Sequence, residues 1–464
     1  HQETITSGEI RLIFVLQMEK KKVAETLGFE FVPEANDVEL SEILESNIYI
    51  LAWSPLFFSA IYFSPLWLLV TVFGVSVSAV SWFLVEHGGK PYPVPPAPYS
   101  SVYDFKVANQ DSCLLNNAIQ GISMIPWFSL LRRYWRYIDW KIYWKRVLAV
   151  TAMSIFNSII GIYEDIRFGE KVRKQKVSDE PVFVFGHPRT GTTMLHNMLA
   201  KNEKKFHFPN TFQCGFPNGM LTLEKYTYLF DGAIGETRPM DNMKLGFDTP
   251  QEDELATNVL SAGISPYMPL TFMKAEPEFR RYFSFERASQ EDTLAWMQSF
   301  MLFFKKYTLS NDPDLQRRPV IKSPVHTARG KLLHKMFPKG QIIYIHRNPY
   351  RVFLSASNMA QKTYYYMYLG VPTKERIQDF IINQYVTLFD DYMAAKKVLP
   401  KECLIEISYE EITSDLVGTM KKIYDYFKWD GWEAMEAIYK KEAESMKSFQ
   451  KNSFIDMDPK LKEL

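Results

Sequence analysis

The sequence predicts an α/β protein with a central parallel sheet flanked by helices, preceded by an N-terminal helical membrane hairpin. From residue 181 onward, short apolar runs alternate with helical stretches, as in sheets whose strands are buried on both faces. Earlier in the chain, residues 48–85 form an uncharged run. We divide the chain into an N-terminal region (1–46), a membrane segment (47–86), a linker with a basic aromatic helix (87–170) and an α/β domain (171–464).

The uncharged run is 38 residues long, and one membrane-spanning helix needs only ~20 residues. Pro55 and the Ser64-Pro65 pair interrupt it, and a break near Ser64 leaves arms of about 16 and about 20 residues. We therefore favour a hairpin with both ends on one side of a lipid bilayer. One span followed by a buried or interfacial stretch, and a buried helix pair, remain alternatives.

The linker contains a proline-rich spacer, residues 90–98, and then a basic aromatic segment between Trp127 and Lys145. Such a helix suits the headgroup layer of a membrane, where aromatic rings and cations meet anionic lipid. Alternatively, the helix packs its aromatic side chains on the α/β domain. Nucleic acid is not an expected partner, because 54 Lys and Arg against 53 Asp and Glu give a net charge of only +1.

Cysteine and asparagine patterns bear on the compartment. The chain has 3 cysteines at long spacings and lacks an Asn-x-Ser/Thr sequence, which favours a reducing environment. A hairpin would keep Lys20, Lys21, Lys22 and the α/β domain on one side, facing the cytosol or an organellar reducing compartment. A single span would instead suit a Golgi membrane protein with a lumenal domain.

Four apolar runs are predicted strands, and a polar motif follows each of them: residues 182–185, 320–321, 341–345 and 404–407. Open α/β sheets bind ligands outside the carboxyl ends of their strands. The sequence therefore predicts the site at this edge of the sheet.

The first motif follows the first strand and precedes a predicted helix over 194–199. It consists of Gly186, His187, Pro188, Arg189, Thr190, Gly191, Thr192 and Thr193. This spacing is typical of a P-loop, in which backbone N–H groups and a helix N-terminus hold phosphate oxygens. Thr192 stands where the lysine of an NTPase would be, so ATP or GTP hydrolysis is disfavoured, and Arg189 can supply a cation for a shorter anion such as a phosphosulfate.

The second motif follows the strand at 341–345. Arg347 and Ser355 are eight residues apart, so a strand-to-helix turn can bring the guanidinium and the hydroxyl to one phosphate. Two structural alternatives remain open: a capped turn at Asn348-Pro349 and, for the first motif, a plain strand–turn–helix connection.

In this order, with Arg189 and Arg347 158 residues apart, the two motifs resemble the PAPS-dependent sulfotransferase superfamily. The segment around Lys322 resembles its strand-end lysine segment, and residues 248–254 resemble the acidic segment of its bacterial and algal-type branch. The resemblance covers about 181–454 and implies a P-loop-like sulfotransferase fold with PAPS as co-substrate, PAP as product and no metal.

The resemblance also implies roles for individual residues. The first motif, from His187 to Thr193, would bind the 5′-phosphosulfate, and Lys322 would neutralise the leaving oxygen. Arg347 and Ser355 would bind the 3′-phosphate. Tyr409 falls in a late turn that belongs to the same site, and Lys451 is the nearest match to a C-terminal basic loop of the family.

The catalytic base is less sharply indicated. Glu252 and Asp253, with Glu254, are the leading group, because a buried carboxylate with a raised pKa accepts an alcohol proton; a solvated helix start is the alternative. Glu236 is the next candidate and His326 the third. The expected acceptor is a small molecule, a lipid or other amphiphilic alcohol, or a glycan. A non-catalytic subunit bound to other membrane subunits is the competing function.

Overall fold

The protein is described by a computed structural model that covers residues 96–97, 103–106, 117–233, 237–238 and 243–447. The predicted N-terminal region (1–46) and membrane segment (47–86) lie outside the described residues, as do Glu236 and Lys451.

Five parallel strands form the sheet: β1 Val182–Phe185, β2 Phe206–His207, β3 Arg318–Lys322, β4 Gln341–His346 and β5 Leu404–Ser408. Their order is β2-β3-β1-β4-β5. All four residues of β1 are buried, which explains why a central strand reads as a continuous apolar run. The four predicted strands are confirmed, and the two-residue β2 is an addition that the sequence does not predict.

Helices flank the sheet and connect its strands. Within the described residues they are α1 Met124–Tyr134, α2 Trp140–Lys174, α3 Thr192–Ala200, α4 Thr211–Gly215, α5 Met220–Leu223, α6 Asp253–Leu260, α7 Glu276–Phe279, α8 Gln290–Asn311, α9 Gly330–Met336, α10 Pro349–Thr363, α11 Lys374–Lys396, α12 Tyr409–Ser414, α13 Leu416–Tyr426 and α14 Trp432–Lys447.

The chain order places three connections at one point of the sheet. Strand β1 pairs with β3 on one side and with β4 on the other. The segments that follow these strands therefore leave the same edge side by side, where open α/β sheets bind their ligands. Both sequence motifs and Lys322 lie there.

The predicted basic aromatic segment folds into α1, a short turn and the start of α2. Trp127, Tyr134 and Tyr143 are buried in one apolar cluster with Phe183 of β1 and Trp296 of α8. The described part of the predicted linker (87–170) therefore shares an apolar core with the α/β domain. The aromatic rings of these three residues face the protein rather than a headgroup layer, which agrees with the alternative in which they pack on the α/β domain.

Helix α2 is long and apolar enough to cross a membrane by length and composition. Its most apolar 18-residue window has a mean hydropathy of 1.5, and 33% of that window is buried in the protein. It is the one helix of the described residues that passes this test.

Candidate active site

The loop after β1 presents backbone N–H groups at the start of α3. Arg189 and Gly191 have φ angles of 79° and 99°, and the Thr190 N–H donates to the His187 carbonyl (3.1 Å). The first backbone bond of α3 runs from the Leu195 N–H to the Gly191 carbonyl (3.0 Å). The N–H groups before it have no partner inside the helix, so they form an anion-binding terminus.

Gly191 is the residue whose backbone sets this curvature. A Cβ atom there would lie 2.9 Å from Cδ2 of Tyr409 and 3.2 Å from Cδ1 of Ile345. We expect Gly191→Ala to weaken PAP binding measured by calorimetry, because the positive φ costs about 1–3 kcal/mol and relief of the contact displaces the loop. Gly215→Ala is the matched control, since a Cβ there meets nothing within 4 Å. Equal affinity in the two variants would contradict this account.

The two sequence motifs contact each other. The Arg189 Nε donates to the Ser355 Oγ (3.0 Å), and the Arg347 Nη1 donates to the Arg189 carbonyl (3.0 Å). The Arg347 Cζ lies 4.0 Å from the centroid of the Tyr409 ring. Two arginines, a hydroxyl and an aromatic ring from the ends of three strands therefore surround one point of the sheet edge.

Arg347 lies in an environment that suits an anion. Burial lowers its pKa, and the positive charges of Arg189 and Arg351 lower it further, although Tyr409 and Glu410 act in the opposite direction. Its Nε is buried and has no hydrogen-bond partner within the described chain. A phosphate would supply both the missing acceptor and the missing negative charge. The residues present therefore fit a phosphorylated ligand.

Lys322 ends β3 and reaches the loop after β1. Its Nζ lies 2.8 Å from Oε1 of Glu252 and 3.4 Å from Oγ1 of Thr193, and the Arg238 Nη1 donates to the same Thr193 oxygen (3.2 Å). Burial lowers the pKa of Lys322, with Arg238 acting in the same direction and Glu252 against it. The lysine thus joins the predicted anion site to the predicted base.

Among the candidate bases that the structure describes, Glu252 alone is accessible to solvent. Its side chain is 22% exposed. Burial acts to raise its pKa, but Lys322 and the Tyr267 hydroxyl outweigh burial, so the pKa lies below its ordinary value. The Tyr267 hydroxyl lies 2.5 Å from Oε2 of this carboxylate. The expectation of a raised pKa is therefore wrong for Glu252, because a lysine ion pair compensates its desolvation.

Asp253 and His326 form a separate pair below the surface. Both side chains are 0% exposed, and the His326 Nε2 lies 2.7 Å from Oδ2 of Asp253. Burial acts to raise the pKa of Asp253, but His326 and the Ser323 hydroxyl outweigh burial, so the pKa lies below its ordinary value. The expectation of a raised pKa is therefore wrong for Asp253 as well. Neither side chain reaches an acceptor in this arrangement.

The acidic segment is not a solvated helix start. Asp253 and Glu254 are fully buried at the beginning of α6. The Arg329 Nη1 donates to the Glu254 Oε2 (2.6 Å), and both side chains are 0% exposed. The Glu254 N–H bonds to the Ser323 Oγ (2.9 Å). This network fixes the backbone next to Glu252.

His187 points away from the loop's N–H groups. Its Nδ1 donates to the Pro188 carbonyl (2.6 Å), and its ring centroid lies 4.9 Å from that of Tyr385. Burial lowers the pKa of His187 to about 4, so the ring is neutral near pH 7. Its contribution to the loop is packing rather than charge.

Three residues near the site carry no sequence signal that predicts their place: Arg238, Tyr267 and Tyr364. Arg238 precedes the acidic segment in the chain, and its contact with Thr193 joins residues 45 positions apart. Tyr364 is buried, which raises its pKa, and the charges of Arg189 and Glu252 act on that pKa in opposite directions.

The carboxyl edge of the parallel sheet brings together the N-terminus of α3, three arginines (Arg189, Arg238 and Arg347) and the Lys322–Glu252 pair. This arrangement defines an enzyme that binds a multiply charged anion and transfers a group. The profile of the Sulfotransferase family matches residues 181–434. The chain belongs to this family, and it is a sulfotransferase. The family resemblance predicted from the sequence is confirmed.

The chain is also similar to individual sulfotransferases. It is 27% identical over 306 residues to omega-hydroxy-beta-dihydromenaquinone-9 sulfotransferase Stf3 of Mycobacterium bovis and of Mycobacterium tuberculosis, covering 66% of this chain and 77% of the relatives. The crystal structure of sulfotransferase STF9 from Mycobacterium avium superposes with a TM-score of 0.51 at 17% identity, covering 74% of this chain and 90% of that one. The predicted sulfotransferase fold is confirmed.

Proposed function

We propose that the chain transfers a sulfuryl group from PAPS to the hydroxyl of a lipid or other amphiphilic alcohol. The observation that carries the proposal is the direct contact between the two motifs, through Arg189, Ser355 and Arg347. The expected 5′-phosphosulfate and 3′-phosphate ligands belong to one molecule, so their sites must be neighbours.

The donor would lie along the sheet edge. The first N–H groups of α3, Thr192 and Thr193 would hold the 5′-phosphosulfate. Arg347 would offer its unpaired Nε to the 3′-phosphate, with Ser355 as a hydroxyl donor and the ring of Tyr409 behind the guanidinium. Arg189 contacts both groups of residues and would balance charge between the two phosphates.

In the transfer, the acceptor oxygen forms a bond to sulfur while the bond between sulfur and the 5′-phosphate oxygen breaks. PAP leaves with the electron pair, and the acceptor proton passes to the Glu252 carboxylate. The Lys322 ammonium, 2.8 Å from that carboxylate, would stabilise negative charge on the leaving oxygen. Because the Lys322 charge would then be shared with the leaving oxygen, its interaction with Glu252 would weaken and the carboxylate would become a better base.

A lipid acceptor is supported by a relative and by the site. The mycobacterial relative is named for a hydroxylated menaquinone, which is a lipid. Tyr267 contacts Glu252 through its hydroxyl (2.5 Å), so an aromatic ring lies next to the proposed base, which suits an apolar acceptor. The retained cations and the solvent-accessible Glu252 favour an enzyme over a non-catalytic subunit.

We expect Arg347→Ala to weaken PAP binding about 10- to 150-fold, because hydrogen bonds to charged groups contribute about 1.5–3 kcal/mol. Calorimetric titration with PAP measures this change. The exposed Arg287→Ala is a matched control that removes one arginine elsewhere. Unchanged affinity in Arg347→Ala would remove the 3′-phosphate assignment.

The acceptor class is tested with sulfur-labelled PAPS and a membrane extract. Label recovered in the lipid phase, and absent with the Lys322→Met variant, supports the proposal. Label found only in water-soluble glycans would contradict it.

A further inference from the structure

Helix α2 presents an apolar face to solvent. Ile162 is 62% exposed and Ile166 is 83% exposed. Their exposed neighbours on the same face are Ala152, Phe156, Ile159 and Tyr163. This face is about 21 Å long at about 1.5 Å per residue. Residues 147–163 carry no charge, and the first exposed charged residue after them is Asp165, near the end of the face.

The opposite side of α2 packs on the protein through both apolar and polar side chains. The Asn157 Nδ2 donates to the carbonyls of Gln120 (2.8 Å) and Ile122 (3.0 Å). Glu164 forms a buried ion pair with Lys306 (2.8 Å). The inward side of α2 thus combines these polar contacts with the apolar residues Tyr143, Val147 and Val150 of the core, whereas its solvent-facing side is apolar along 152–163. Because the domain covers this inward side, α2 cannot be surrounded by lipid as a membrane span.

Each end of the apolar face carries a cation beside an aromatic ring. The Lys145 Nζ lies 5.9 Å from the ring of Trp144, which is 44% exposed. At the other end, the Arg167 Cζ lies 5.9 Å from the ring of Tyr163. Indole and phenol rings concentrate at the headgroup level of membranes, and cations there attract anionic lipid. An uncharged protein segment would not require such cations.

We propose that this face of α2, from Trp144 to Arg167, lies on the surface of an anionic lipid bilayer, with its apolar side chains in the outer acyl layer and the two cations among the headgroups. The argument rests on the exposed apolar residues of the helix and on the positive charge of Lys145 and Arg167 at its ends, which complements anionic lipid. It holds whatever the acceptor is, because it uses no residue of the active site.

The same helix is connected to the active site. The Arg146 Nη1 of α2 donates to the Tyr365 carbonyl (3.2 Å), and the adjacent Tyr364 is buried, with the charges of Arg189 and Glu252 both acting on its pKa.

The full chain reconstituted in vesicles of phosphatidylcholine and phosphatidylglycerol provides the test. A fluorescent label is placed at Ile162→Cys in a Cys113→Ser background, in which Cys214 and Cys403 are buried. The matched control label is at Lys440→Cys, an exposed position of α14. Each label is exposed to a nitroxide carried on the lipid acyl chains and, separately, to a water-soluble nickel chelate.

We expect the acyl nitroxide to cause a loss of fluorescence at position 162 and none at position 440, with the nickel chelate giving the opposite result. Quenching at position 162 by the nickel chelate would overturn the proposal, because the face would then be in water. Shielding from both quenchers would also overturn it, since the N-terminal segment or a second copy would then cover the face. None of these outcomes depends on sulfuryl transfer, so they are independent of the proposed function.

Discussion

Glu252→Gln lowers kcat by about 10²- to 10⁴-fold, which is the usual contribution of a general base. The amide keeps the size of the side chain, and its oxygen can still accept from Lys322 while its NH2 group donates to the Tyr267 oxygen, but it cannot take the acceptor proton. PAP affinity should change little, because the carboxylate lies on the acceptor side of Lys322. Steady-state kinetics at saturating PAPS, with PAP calorimetry beside them, measure both effects.

The matched control for this substitution is Glu286→Gln, which removes a carboxylate from a solvent-exposed ion pair with Lys331. It should leave kcat unchanged. If Glu252→Gln retained full kcat, the base would have to be another group, and Glu236 would be the next to replace.

The pH dependence of kcat/KM provides a second measure of the same carboxylate. Because the pKa of Glu252 is lowered, the free enzyme keeps it ionised at every pH above its ordinary value of 4.5. Protonation of the base should therefore reduce kcat/KM only below that pH. An acidic loss of rate centred between about pH 6 and 7, where an ordinary histidine titrates, would contradict the assignment.

Arg329→Met destabilises the protein by about 3–5 kcal/mol, the usual cost of removing one partner from a buried ion pair. Its guanidinium forms two short bonds to Glu254 (2.6 and 2.9 Å) and lies 4.3 Å from the ring of Trp296. The substitution leaves a buried carboxylate without its counter-charge, while methionine preserves much of the packing volume. Urea unfolding followed by tryptophan fluorescence measures the change.

Lys331→Met is the matched control, two residues further along the chain. It breaks an ion pair whose side chains are 45% and 58% exposed, and such pairs contribute about 0–1 kcal/mol. Similar losses in the two variants would mean that burial is not the source of the Arg329 effect. A stable Arg329→Met protein would show that Glu254 finds another partner.

The sequence predicts the sheet well because buried parallel strands are short and apolar throughout. The runs at 182–185 and 341–345 are recognisable for that reason. Strand β2 is not, because two residues, Phe206 and His207, are too few to form a pattern. The burial of aromatic side chains in α1 and α2 is not predictable from the sequence either, because only tertiary packing determines which of them face the protein.

The sequence predicts those active-site residues that belong to a local motif next to a recognisable strand. Arg189 and Arg347 follow strands that the sequence identifies, so their meeting at one edge follows from the fold. The Glu252, Asp253 and Glu254 triplet contains no such information. One side chain faces Lys322, and the other two are buried against His326 and Arg329. These partners lie about seventy residues away in the chain.

Because α1 and α2 share a core with the sheet, the unit that folds begins earlier in the chain than the region of family similarity. A recombinant fragment beginning at Pro181 would contain the entire family match, but it would lack Trp127, Tyr134 and Tyr143. Phe272, whose ring stacks on Tyr134 with 4.9 Å between the ring centroids, would then lose that contact. Insolubility of that fragment would consequently reflect a missing piece of the protein interior rather than any property of the catalytic region.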